Sequence, residues 1–78
     1  MQGKQRKPMP GDIVVLVEMP KGLLDDLPEE DQLAISEIVG KPVQLNEYDS
    51  EGRAELEFTD REGTIHFIYV SEEVIRIA

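Results

Sequence analysis

"KPVQLNEYDSEGRAELEFTDREGTIHFIYV", residues 41–70, contains two turn signals, Asp-Ser-Glu-Gly at 49–52 and Asp-Arg-Glu-Gly at 60–63. Each lies between short strand-like segments, and Asp first with Gly last suits a type I turn. The stretch therefore reads as two consecutive hairpins. Closing the first on Asp49–Gly52 sets Leu45 opposite Leu56, and closing the second on Asp60–Gly63 sets Leu56 opposite Phe67. One face of the three strands then carries Val43, Phe58 and Ile65, next Leu45, Leu56 and Phe67, and last Glu47, Ala54 and Tyr69. This nearly pure apolar surface is the predicted core face, and it takes both phenylalanines. The opposite face carries Gln44, Glu57 and His66, then Asn46, Glu55 and Ile68, then Tyr48, Arg53 and Val70.

Upstream, "GLLDDLPEEDQLAISEIVGK" at 22–41 has helical spacing. Pro28 suits a first helical turn, and Glu29, Glu30 and Asp31 set negative charge against the positive end of the helix dipole. Ala34, Ile35, Ile38 and Val39 form one apolar stripe, and Gly40 stands where a left-handed C-terminal cap is wanted. Leu33 lies opposite the stripe and is expected under the Leu23-Leu24 loop. The run Ile13–Val17 suits a strand covered on both faces. "SEEV" at 71–74 reads as one tight helical turn, and "VIRIA" at 74–78 as a short closing strand with Ile75 and Ile77 on one side.

The chain has 78 residues and no cysteine, enough for one thin-cored domain without disulfides or thiolate metal sites. Residues 1–10 read as a flexible basic tail and 11–78 as the single domain. All seventeen acids and only five of the eight bases fall in 11–78. Such a surface lacks the basic cluster that phosphate backbones require, so no nucleic-acid partner is expected. No apolar run reaches membrane-spanning length, which makes a cytoplasmic protein with no membrane partner the expectation.

Five short strands, a long excursion after the first, two hairpins and one helical turn before the last resemble the SH3-like small β-barrel. The marks are "GDIVVLV", "IVGKPVQL" and "YVSEEVIRI". The likeness implies a mainly β, five-stranded barrel with an α-helix inserted between strands 1 and 2 and a short helical turn before strand 5. The chain is also similar to small bacterial proteins of this barrel type, which implies no function. It resembles the plasmid-type (type II) dihydrofolate reductase in Gly11-Asp12, Ile38-Val39-Gly40, Glu51-Gly52, Arg76-Ile77 and Ile68-Tyr69. The family's Val-Gln-Ile-Tyr segment stands here as His66-Phe67-Ile68-Tyr69, without the glutamine, and an acidic chain repels anionic folate and nicotinamide substrates. The resemblance is therefore one of fold.

Two site expectations follow. Tyr48, Arg53, Ile68 and Val70, rimmed by Asn46 and Glu55, form a predicted binding surface for a basic protein partner or for self-association, in a module without catalytic activity, cofactor or metal. The alternative is a polar cluster of Gln44, Glu57 and His66, in which Glu57 orients the only histidine as the start of a small enzyme or of a pH-responsive contact.

Overall fold

The computed structural model describes residues 7–20, 22–23 and 25–78. In chain order these form β1 (Ile13–Leu16), α1 (Glu29–Ile38), β2 (Pro42–Tyr48), β3 (Ala54–Thr59), β4 (Ile65–Val70), a 3-10 turn at Glu72–Val74 and β5 (Ile75–Ile77). The strands make one antiparallel five-stranded sheet in the order β4-β3-β2-β1-β5. Among the described residues no ladder joins the edge strands β4 and β5. Only residues 71–74 separate them, three of these in the 3-10 turn. That link reaches about 14 Å, whereas a flat sheet would hold its two edges about 19 Å apart. The sheet therefore curls, and its concave face holds the core.

Val14 and Leu16 of β1, Val43 and Leu45 of β2, Ala54, Leu56 and Phe58 of β3, Ile68 and Val70 of β4 and Ile75 of β5 are buried there, together with Ala34 and Ile35 of α1. The predicted stripe of α1 thus enters the core through its first two members, while Ile38 and Val39 pack at its margin. Leu33 departs from expectation at 62% exposed, and its partner in that expectation, Leu24, lies outside the described residues. β1 is covered on one face only, since Ile13 and Val17 remain half-exposed.

Gly40 has the expected positive φ of 86° but serves another purpose. Val39 at φ −61°, ψ 126° and the Lys41 N–H to Ile38 O bond of 2.9 Å make a type II turn, whose third position requires a left-handed residue. The Gly40 N–H is freed from the helix and donates to Leu16 O of β1 at 2.8 Å, tying the end of α1 to the sheet.

The hairpins decide which side chains enter the core. In the second, Gly63 N–H donates to Asp60 O at 3.0 Å and Asp60 N–H to Thr64 O at 2.9 Å, with Gly63 at φ 87°. This is a type I turn followed by a left-handed glycine, a three-residue loop in which the glycine forms a bulge. Counting the turn as ending at Gly63 missed that residue, and the register moves by one: Leu56 faces Ile68, Glu57 faces Phe67 and Phe58 faces His66. The predicted pairing of Leu56 with Phe67 is therefore corrected, and every β4 side chain changes face. Ile68 and Val70 are core residues, 5% and 2% exposed, whereas Ile65, Phe67 and Tyr69 are 54%, 55% and 43% exposed.

The first hairpin uses the same loop, with Gly52 N–H to Asp49 O at 3.0 Å and Asp49 N–H to Arg53 O at 2.8 Å. A β-bulge between Leu45 and Glu47 offsets its extra residue, so Leu45 faces Leu56 as predicted. The predicted pair survives because two irregularities cancel.

Residues 7–10, read from sequence as the end of the tail, lie against the domain. The Tyr48 hydroxyl donates to the buried Pro8's carbonyl at 2.7 Å, and Gly11 N–H reaches Leu45 O at 2.8 Å.

This register makes opposite substitutions at adjacent positions diagnostic. Ile68→Ala is expected to cost about 2–5 kcal/mol of unfolding free energy and Phe67→Ala no more than about 0.5 kcal/mol, as measured by urea denaturation. Equal costs, or the reverse order, contradict the register.

Candidate functional site

Turning β4 over dissolves both predicted sites. Of the surface expected from Tyr48, Arg53, Ile68, Val70, Asn46 and Glu55, Ile68 and Val70 are in the core, and Tyr48 is half-buried against Pro8 with Lys7 Nζ 4.6 Å from its ring centre. Burial, with Glu72 and Asp12 nearby, raises the Tyr48 pKa above its ordinary value. The remainder, exposed Arg53 and half-buried Asn46 and Glu55, belongs to the convex outer face. There Asn46 Nδ2 donates to Glu55 Oε2 at 2.9 Å and Glu57 Oε1 at 3.0 Å, and Gln44 Nε2 to Asn46 Oδ1 at 2.7 Å. Glu57 and Gln44 of the predicted polar cluster are thus joined, but through Asn46 and without His66.

His66 instead faces inward, its side chain 11% exposed and stacked on Phe58 with ring centres 5.2 Å apart. Its Nε2 lies 2.8 Å from Asp60 Oδ2 and its Nδ1 3.4 Å from Asp31 Oδ1. Asp60 is a turn residue whose other carboxylate oxygen accepts the N–H groups of Glu62 and Thr64 at 2.8 and 3.0 Å. The bond from His66 first, and these backbone bonds after it, hold the Asp60 carboxyl below its ordinary pKa. An ionised Asp60 takes a proton from neither ring nor backbone, so Nε2 carries the hydrogen of that bond. Nδ1 faces Asp31 at ion-pair distance.

The result is a clasp between the N-terminal turn of α1 and the β3–β4 turn, continued by Arg61 Nη2 on Glu37 Oε2 at 3.0 Å. Both ring nitrogens are turned toward carboxylates. Among the described residues no cluster of three or more His, Cys, Asp or Glu has metal-binding geometry.

The outer half of β4 is the part that sequence reasoning missed. Ile65, Phe67 and Tyr69 stand in one row on the convex face. Tyr69 is fixed: its hydroxyl donates to Glu55 Oε1 at 2.8 Å and Arg53 lies 5.6 Å from its ring centre. That bond to Glu55 raises the Tyr69 pKa, while Asn46 first and Tyr69 second lower that of Glu55. Alongside lies a groove of about 510 Å³ lined by Leu23 and Leu27 and by Ile65, Phe67 and Tyr69, with Asp31, Arg53 and His66 among its polar members. The Asp-x-x-Gly turn signals carried the information needed to find this row, had the left-handed glycine been counted into the loop.

Comparison with known proteins finds no matching family model, no similar curated protein and no similar solved structure. Among the described residues no helix is long and apolar enough to cross a membrane.

Because Asp60 titrates lower in the folded chain, its contribution to stability is complete above about pH 4, the ordinary aspartate range, and is lost as pH falls through its depressed value. Asp60→Asn should therefore melt below wild type at pH 7 by circular dichroism, with the gap closing toward pH 2. A gap independent of pH contradicts this role.

Proposed function

We propose that the protein is a small protein-interaction module without catalytic activity, and that its curled sheet is an SH3-like barrel. The strand order β4-β3-β2-β1-β5 and the 3-10 turn leading into β5 support the fold reading. The observation that carries the function is the row Ile65, Phe67 and Tyr69, three large side chains about half-exposed on a strand whose sequence, IHFIYV, has no Asp, Glu, Lys or Arg. Scattered surface leucines are ordinary, whereas an aromatic and aliphatic row beside a groove that Leu23 and Leu27 also line is the anatomy of a contact surface. Tyr69, held by Glu55 and Arg53, meets a partner with little rotamer freedom left to lose.

The partner is basic. The chain carries a net charge of −9, and an acidic surface of that size steers cations to it. This replaces the expected surface with its neighbour on the other side of β4, while keeping the partner class.

The test is the double substitution Ile65→Ser with Phe67→Ser, both on the exposed face, in a capture experiment from a lysate of the native host. A protein held by wild type should be lost from the variant, through a fall in affinity of at least about thirtyfold, and should also elute near 1 M salt. Undiminished binding by a folded variant overturns the reading.

A further inference from the structure

We propose that the free edge of β4 accepts an extended, basic segment of another protein as an added strand, lying in the groove that Leu23 and Leu27 line beside β4. This rests on the interaction-module reading and names the geometry and chemistry of the partner.

Hydrogen-bonded pairs alternate along an antiparallel ladder. The bond from Asp60 N–H to Thr64 O marks one such pair, so His66, Ile68 and Val70 direct their backbone groups to β3. The N–H and C=O groups of Ile65, Phe67 and Tyr69 then point away from the sheet, and no described backbone bond outside the ladder engages them. A strand edge of this kind is a template for pairing. Charged residues or proline ordinarily blunt such edges, and β4 contains neither.

The groove fits a strand in the same place. An incoming segment paired with Ile65, Phe67 and Tyr69 would set alternate side chains against Leu23, Leu27 and Ile35. Main-chain bonds would supply affinity and the alternate pockets specificity, the mode of strand addition.

Charge selects the occupant. Asp31 lines the groove and Asp25 and Asp26 are exposed beside Leu27, while Arg53, the cation of the lining, is already paired with Asp49 and Glu51. A second copy of this chain offers β4 itself, whose only cationic candidate, His66, is turned inward into the carboxylate clasp, and each copy carries −9. A foreign segment alternating lysine or arginine with apolar residues complements both the walls and the net charge.

The probe is the capped peptide Lys-Val-Lys-Val-Lys-Val-Lys, with a Glu-for-Lys version and two forms N-methylated on every Val or on every Lys amide. Amide hydrogen exchange of the full chain is followed by NMR. The basic peptide should slow exchange at Ile65, Phe67 and Tyr69, the acidic one should not bind, and one methylated form should bind at least about tenfold more weakly than the other, because only alternate N–H groups face β4. Methylated forms that respond alike, or binding without protection of those amides, overturn strand addition. In that case the interaction-module reading still stands if Phe67→Ser weakens the peptide. Failure of the basic peptide to bind, or equal binding of the acidic one, overturns the choice of occupant. Protection of the same amides that grows with protein concentration in the absence of peptide assigns the edge to a second copy and overturns it as well.

Discussion

A single left-handed glycine governs which half of β4 meets the core. Gly63 extends the turn after Asp60 by one residue, and because strand side chains alternate with period two, that residue reverses the whole strand. Asp60 supports the same geometry from its side chain, accepting Glu62 and Thr64 N–H through one oxygen while the other holds His66. Turn, clasp and exposed row are thus consequences of one local arrangement. No side chain is needed at Gly63 itself, and a Cβ there would meet nothing within 4 Å, so the constraint is purely one of backbone conformation.

The inward face then makes physical sense of a histidine in a small core. A polar ring adjoining Phe58 would be costly if left unbonded; its Nε2 bonds Asp60 of the turn, and its Nδ1 lies at ion-pair distance from Asp31 of α1. The clasp fastens one end of α1 to the sheet, and the Gly40 N–H fastens the other to Leu16. Between them Ala34 and Ile35 are pressed into the concave face. The outward face is left with Phe67, Ile65 and a Tyr69 braced by Glu55, which is where a contact surface would be sought.

Much of the architecture was legible in the sequence. The element order, the helix stripe through Ala34 and Ile35, the 3-10 turn at Glu72–Val74 and the inward Ile75 all follow from periodicity and turn residues. The inner face of β3 was legible as well, since Glu55 and Glu57 exclude the alternative. β4 was ambiguous because Ile65, Phe67 and Tyr69 are as apolar as Ile68 and Val70. Hydrophobic pattern could not choose between its faces, and loop length alone decided. The bulge at Asn46 has no comparable signal, for nothing in "QLNEY" distinguishes a bulged residue from a regular one. The candidate sites were misplaced by the same two irregularities: the turn at Gly63 sends His66, Ile68 and Val70 to the face opposite Glu55, Glu57 and Arg53, and the bulge at Asn46 sends Tyr48 inward with Val70.

Backbone NMR of the uniformly labelled chain reads this register without any substitution. In the non-hydrogen-bonded pairs of an antiparallel ladder the facing Cα atoms approach to about 4.5 Å, which gives strong contacts between their α-protons. The account predicts such contacts between Glu57 and Phe67 and between Glu55 and Tyr69. Strong α-proton contacts of Leu56 with Phe67, or of Phe58 with Ile65, would contradict it.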